Sequence, residues 1–369
     1  MKVGGKTPLF EACESGNENM FNYIVEHEAD INRENNDGET PLFNACKRRN
    51  ESIVKYLVEN GADINKENIF GNTPLFEACL GGNENIFNYL VEHRADINKE
   101  KKNGYTPLFY VCINGNENIF NYLVEHGVDI NKESKIGKTP LFSACRNGNE
   151  NILNYLVEHG ADINKEDKNL KTPLFYVCFN EDENILKYLV ENGADINKKD
   201  INFRTPLFYP CIKENVNILN YLVEHGADIN MDDKFGKTPL FVACRIRNEN
   251  IVKYLVEHRA NINKEDDNGD TPLFVACRIR NENIVKYLVE HGADINKENE
   301  NGDTPLFEAC NEGNENIVKY LVEHGADINK ENRKEETPLL IAKKGRNENI
   351  VNYLNDFYYN KNENAFKII

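Results

Sequence analysis

The sequence predicts an all-α fold, a solenoid of stacked helix-turn-helix units with short hairpin turns. Three observations predict it. Thr-Pro-Leu recurs eleven times, at Thr7, Thr40, Thr73, Thr106, Thr139, Thr172, Thr205, Thr238, Thr271, Thr304 and Thr337, always 33 residues apart. A fixed period in the range of roughly 20 to 50 residues marks a stacked repeat array. Each period holds two short stretches with apolar residues at helical spacing. Neither stretch buries its face alone, but stacked neighbours bury each other's. The repeats are numbered 1 to 11 by their threonines.

Repeat 10, Gly302 to Asn332, shows each element in order. Thr304 suits a helix N-cap, where its hydroxyl accepts a free N–H of the first turn. Pro305 suits the first helical position, which needs no N–H. Leu306, Ala309 and Cys310 then share one face. Gly313 ends this helix in a left-handed conformation, and Asn314 caps a second one. There Ile317, Val318, Tyr320, Leu321 and Val322 form a wide apolar face, which Gly325 ends. Asp327-Ile328-Asn329 leads into a polar turn that reaches the next Gly-x-Thr-Pro. The expectation is twenty-two short helices, no sheet beyond turn hairpins, and a monomeric rod. With helices packing roughly 8–10 Å apart, its length is on the order of 100 Å. One array is expected over 1–359, its last repeat acting as a C-terminal cap, followed by a loose tail over 360–369. In the cap Lys343 replaces the core cysteine, and Asn355 and Asp356 replace Val and Glu. The chain begins directly at a repeat, which leaves open that more protein preceded it.

Gly-x-Thr-Pro-Leu-x-x-Ala followed by Gly-Ala-Asp-Ile-Asn, in tandem along residues 5–354, resembles the ankyrin repeat. One departure is constant: the family usually has His after Thr-Pro-Leu, whereas this chain has Phe10, Phe43, Phe76 and so on, with Leu340 last. The departure puts the family's hydrogen-bond network in doubt, not the fold. The resemblance implies a non-catalytic scaffold or adaptor that binds a partner protein on a concave face, built from turn tips and the exposed side of the first helix. It also implies that the asparagines matching Asn164, Asn296 and Asn329 are open to hydroxylation. A structural spacer or elastic array, and a regulatory or inhibitory domain detached from a larger protein, are the alternatives.

Composition bounds the function. The net charge of −17 disfavours nucleic acid and anionic membrane, which select basic surfaces. MKVGGKTPLF is no apolar signal segment, and no apolar run approaches the roughly 18 residues of a membrane span. A cytoplasmic location is expected. All ten cysteines occupy one repeat position, from Cys13 to Cys310. Equivalent positions one repeat apart exceed the roughly 7 Å Cα limit for a disulfide, so buried thiols in a reducing compartment are expected. The eight histidines are equally periodic, with Asn60 and Asn192 at the same place in two repeats. A single-file ladder does not converge on a metal, so the expected role is a surface one at a helix C-terminus. Catalytic residues, metal ligands and cofactors are not expected, because a carboxylate pair copied in every repeat is not an active site. Thr-Pro also matches a proline-directed kinase site, but the capping role competes with it.

Partner binding is sought where repeats differ. The turn tips hold Ile69, Phe70 and Asn72, then Lys102, Asn103 and Tyr105, and further on Ile201, Asn202 and Arg204. On the first helix, the fourth and seventh residues after the Thr share a face. Repeats 4, 6 and 7 place Tyr110 with Ile113, Tyr176 with Phe179, and Tyr209 with Ile212 there, whereas repeat 5 has Ser143 and Arg146. Exposed aromatic clusters mark contact surfaces; packing between neighbouring helices is the competing account. Repeats 6 and 7 also break local rules. Leu170 and Phe203 replace the turn glycine, Glu181 and Glu214 replace the interhelical glycine, and Pro210 falls inside a first helix. Repeats 8 and 9 are identical over Thr238–His258 and Thr271–His291. The duplication sets Arg245, Arg247, Arg278 and Arg280 as a local basic spot for a partner's carboxylates, with a solvated face as the alternative.

Overall fold

The computed structural model describes residues 7–27 and 29–366, with side chains to Tyr359. Among the described residues it holds 22 α-helices in pairs and no strand. Contacts gather into two compact units, Met1–Ala194 and Asp195–Ile369. In the first unit, the first helices of the pairs are α1 (Pro8–Ser15), α3 (Pro41–Lys47), α5 (Pro74–Gly81), α7 (Pro107–Asn114), α9 (Pro140–Asn147) and α11 (Pro173–Asn180). The second helices are α2 (Glu18–Glu26), α4 (Glu51–Glu59), α6 (Glu84–Glu92), α8 (Glu117–Glu125), α10 (Glu150–Glu158) and α12 (Glu183–Glu191). In the second unit the first helices are α13 (Phe208–Lys213), α15 (Pro239–Arg245), α17 (Pro272–Arg278), α19 (Pro305–Glu312) and α21 (Pro338–Lys344). Their partners are α14 (Val216–Glu224), α16 (Glu249–Glu257), α18 (Glu282–Glu290), α20 (Glu315–Glu323) and α22 (Glu348–Phe366). Of the tail 360–369, expected to be loose, the stretch 360–366 continues the last helix, which no Gly or Pro after Gly345 stops, and 367–369 lie outside the described residues.

Within each unit first helices pack on first helices, and the core runs along that contact. Leu, Cys and an Ala or Val between them fill it in most first helices, Pro210 taking the Ala place in α13, and the cysteines are at most 1 % exposed. The phenylalanines after Thr-Pro-Leu join them, from Phe10 to Phe307. The constant departure from the family pattern is thus an apolar side chain in an apolar slot. Leu340, at the same register, is 39 % exposed, and Lys343 faces solvent at the cysteine position.

The second helices are capped as expected. Asn116 Oδ1 accepts the Ile119 N–H at 2.9 Å, and Asp182 Oδ1 does the same for Ile185 at 3.1 Å. Capping by Thr needs correction. Only Thr238, Thr271 and Thr337 accept the N3 amide through their hydroxyls, at 3.3, 3.4 and 3.3 Å. From Thr40 to Thr205, and at Thr304, the threonine's own carbonyl takes that amide, as Thr40 does from Phe43 at 3.0 Å. The first turn is wound tightly, and side chains such as Thr40 and Thr73 are buried against the core instead.

Pro210 is absorbed by a shift of the helix start. The helix α13 begins at Phe208, not at the Pro206 that the other repeats predict, so Pro210 lies in its first turn, where no N–H is required. The Pro206 carbonyl takes the Tyr209 N–H instead, at 3.1 Å.

Three hydrogen-bonded ladders join neighbouring repeats. In the first, turn tips within each unit donate a backbone N–H to the preceding tip, as Lys102 does to Phe70 O at 3.0 Å and Lys135 to Asn103 O at 2.8 Å. This approach explains the turn glycine: a Cβ on Gly104 would stand 2.8 Å from the Lys135 nitrogen. The second ladder uses the Asn that follows Asp-Ile. Asn65 Nδ2 donates to Arg94 O at 3.0 Å, and its Oδ1 accepts the Asp96 N–H at 2.9 Å. The third is ionic, pairing Lys66 with Glu34 at 2.7 Å, Lys99 with Glu67 at 2.5 Å and Lys297 with Glu265 at 2.6 Å.

The histidines close the second helices. In His159 the Nδ1 lies 2.8 Å from Tyr155 O, and its ring stacks on the Tyr155 ring at 3.7 Å. A carbonyl only accepts, so Nδ1 carries the hydrogen. Asn60 and Asn192 donate the same bond through Nδ2, at 2.8 and 2.9 Å. This accounts for the exchange of His and Asn at that register.

Candidate partner-binding surface

The side chains singled out in the sequence fall on first helices and turn tips, but they differ in burial. Tyr110 is half-buried: its ring meets Phe76 edge-on at 5.4 Å, and its hydroxyl accepts Lys101 Nζ at 2.5 Å. Tyr176 is half-buried likewise. Its ring meets Phe142 at 5.6 Å, its hydroxyl donates to Asp167 Oδ2 at 2.6 Å, and Lys138 Nζ stands 3.9 Å from its centroid. Each tyrosine therefore seals its own repeat against the preceding one, the role assigned above to packing. Ile113 is half-buried beside Tyr110, whereas Phe179 is 49 % exposed. Repeat 5, with a buried Ser143 and an exposed Arg146, stands between these pairs. In the second unit Tyr209 is half-buried and Ile212 is 40 % exposed.

The duplicated arginines are not equivalent. Arg278 contacts Asp270 Oδ2 at 2.9 Å and Glu308 Oε1 at 2.9 Å. Burial opposes its charge, but these two carboxylates outweigh burial and hold the guanidinium above its ordinary range. Arg280 meets Glu312 at 3.0 Å. Arg245 and Arg247 are exposed and make no ion pair with the described residues. The neighbours differ, not the arginines: repeat 8 has Lys237 where repeat 9 has Asp270, and repeat 9 offers Val275 and Ile279 where repeat 10 offers Glu308 and Glu312. Half of the basic spot is neutralised within the chain.

The turn tips expose apolar side chains that sequence reasoning did not select as contacts. Ile136 and Leu170 in the first unit, and Phe203 and Phe235 in the second, are all exposed alongside Ile69, Phe70 and Ile201. The signal was present, since Ile136 and Phe235 occupy the register of Phe70. Leu170 and Phe203 had been weighed only as lost glycines, and both keep positive φ, 58° and 61°.

The thiols are inert by position. Burial pushes Cys13 and Cys310 up to about 12 from 9.0 and the other eight higher still. Among the described residues, no group of three or more His, Cys, Asp and Glu converges to hold a metal ion. None of the helices described is long and apolar enough to cross a membrane.

Comparison with curated proteins returned no match. The family profile for ankyrin repeats (three copies) matches residues 2–68, 65–134, 95–167, 130–200, 165–233, 207–299 and 292–365. Such repeats are generally protein–protein interaction modules. With that profile matched along the chain, and helices paired in tandem throughout the described residues, the chain belongs to the ankyrin-repeat family.

Proposed function

We propose that this chain is a non-catalytic scaffold or adaptor that binds a partner protein through the turn tips and the exposed side of its first helices, the concave face of the family. The observation that carries this reading is the contrast within one repeat register. Scaffold positions such as Leu174, Val177 and Cys178 are buried, whereas Phe179, next in sequence, is 49 % exposed. A phenylalanine that keeps about half of its surface in water suits an interface anchor. Phe179 and Ile113 in the first unit, and Ile212 in the second, are the proposed apolar anchors. Tyr110, Tyr176 and Tyr209 present their rims beside them. Arg245 and Arg247 supply open positive charge; Arg278 and Arg280 contribute only if a partner carboxylate displaces Glu308 and Glu312. The protein works as a monomer in the cytoplasm, where reducing conditions suit ten buried thiols. It contacts neither nucleic acid nor membrane.

The test is affinity purification of the full chain followed by alanine substitution. One stoichiometric partner is expected, and Phe179→Ala is expected to cost about 1–3 kcal/mol of binding with little change in melting. Reversing Arg245 and Arg247 to Glu is expected to weaken binding more than reversing Arg278 and Arg280, and the loss shrinks as salt rises. Absence of any stoichiometric partner supports the spacer role instead.

A further inference from the structure

The chain is acidic, with a net charge of −17, but its charge is not spread evenly over the turn tips. The tips of repeats 9 and 10 carry Asp266, Asp267 and Asp270, then Glu300 and Asp303. The tips of repeats 4, 5 and 6 carry Lys101 and Lys102, Lys135 and Lys138, Lys168 and Lys171. All six lysines belong to one compact unit, and Lys102, Lys135 and Lys168 are exposed. Their backbone N–H groups run along the turn ladder, Lys102 to Phe70, Lys135 to Asn103 and Lys168 to Ile136. The three side chains are therefore held one repeat apart on a continuous edge. Lys99, Lys132 and Lys165, by contrast, are matched: the ionic ladder takes Glu67, Glu100 and Glu133. Glu100 and Glu133, the glutamates nearest in sequence to the tips of repeats 4 and 5, are thus already engaged.

Apolar surface is interleaved with this charge. Ile136 and Leu170 alternate with the lysines at the tips, and Phe179 stands on the adjoining helix α11. The tyrosines there are not open for stacking on a base. Tyr105 lies flat on Phe109 at 4.5 Å, and Tyr110 and Tyr176 are set edge-on to Phe76 and Phe142. The patch thus offers ammonium groups and mostly aliphatic side chains, its tyrosine rings already packed, which suits an acidic peptide better than a single-stranded nucleic acid. Lys138 adds to the case. Burial holds its ammonium below the usual lysine range, and Arg146 and Lys171 push the same way against Asp167. An incoming carboxylate relieves that crowding.

Resting on the protein-partner reading above, we infer that the tips of repeats 4 to 6 bind an extended acidic peptide segment of the partner, with carboxylates and apolar side chains recurring about every third residue. The spacing follows from two lengths. Stacked helices lie about 8–10 Å apart, and an extended chain advances about 3.3–3.6 Å per residue, so about two to three residues pass each repeat, three at the wider spacing. Each carboxylate meets a lysine of one tip, and the apolar residue between them meets Ile136, Leu170 or Phe179.

The test is selection from a random-peptide display library on the full chain, followed by fluorescence anisotropy with a synthetic Glu-Leu-Ser repeat of about twelve residues. Enriched peptides are expected to carry Glu or Asp at three-residue spacing. The synthetic peptide is expected to bind about tenfold or more tightly than its Lys-Leu-Ser counterpart, and less tightly as salt rises. The triple variant Lys102→Glu, Lys135→Glu, Lys168→Glu is expected to lose about tenfold or more in affinity for it. Helical circular dichroism and the milder Lys→Gln triple guard against misfolding. Three outcomes overturn the inference: equal binding of the lysine peptide, tighter binding of an oligothymidine of equal length, or association of the chain with itself in place of peptide. If enriched peptides lack acidic residues yet are lost with Phe179→Ala, the charge assignment fails and the protein-partner reading survives. If no peptide is enriched, the inference fails, and the protein-partner reading fails with it only if affinity purification also returns no stoichiometric partner.

Discussion

The histidine that ends each second helix does what an asparagine can also do, which makes its contribution measurable. His126 donates Nδ1–H to Tyr122 O at 2.8 Å, and Asn60 and Asn192 donate Nδ2–H to the same carbonyl of their own repeats. In denaturant titrations His126→Asn is expected to be near neutral and His126→Ala to cost about 0.5–1.5 kcal/mol, since the Tyr122 carbonyl loses its partner. Equal costs would assign the effect to ring stacking on Tyr122. Cysteine makes the second prediction at this scale. Its folded pKa lies above the ordinary 9.0, at about 12 for Cys13. The unfolded chain therefore loses thiol protons first as pH rises. Stability is intact below pH 9 and falls above it, by about 1.4 kcal/mol per pH unit for each thiol. Comparing urea midpoints at pH 8 and pH 10 checks this, and Cys178→Ala is expected to flatten the decline. The sequence showed which residues recur and which faces they share, so the burial of the thiols could be read from it. Which atom each histidine engages could not, because period and polarity do not carry side-chain geometry.

At the scale of the helix pair, the joint between first and second helix is left-handed whatever residue occupies it. Gly115, Gly148 and Gly313 have φ of 81°, 71° and 71°; Glu181 and Glu214 hold 64° and 65°, and Arg49, Arg247, Arg280 and Arg346 between 57° and 67°. A side chain there is strained, so Glu181→Gly is expected to stabilise the chain by about 1 kcal/mol. Gly148→Ala is expected to destabilise it by at least as much, because its Cβ would stand 2.9 Å from Asp182 Oδ2. Paired thermal melts check both signs. Part of this was legible in repeats 6 and 7, where glutamate interrupts a glycine register. The arginines stand at the same register in the sequence, but nothing in their chemistry marks a left-handed backbone. The rescue of Pro210 was not legible. Its helix restarts at Phe208, and local periodicity cannot show that a helix has given up its first turn.

For the molecule as a whole, the repeat period predicts coupling between neighbours, and the structure supplies its physical form. Turn tips, asparagines and lysine–glutamate pairs all link a repeat to the next one. The period foretold that repeats stack but not which atoms couple them: the Asn-Lys-Glu segment read only as a polar turn. The exposed part of the proposed surface was partly hidden for the same reason, since Tyr110 and Phe179 lie on the same face of their first helices but differ in burial. The asparagine link gives the decisive test, because it carries two bonds in one side chain. Asn65→Ala removes the bond to Arg94 O and leaves the Asp96 N–H unmet, a loss of about 1–3 kcal/mol. In a quasi-one-dimensional array stability is a sum of repeat and nearest-neighbour terms. The damage is therefore expected to stay local. Amide hydrogen exchange is expected to quicken in α3 to α6, on either side of the broken link, while α9 to α12 keep their protection. If protection instead falls evenly from α1 to α12, the unit unfolds as one cooperative body and the nearest-neighbour account is wrong. A local response also means that partner contacts can be changed in one repeat while the stack elsewhere keeps its stability, which is the property a scaffold built from copies of one unit requires.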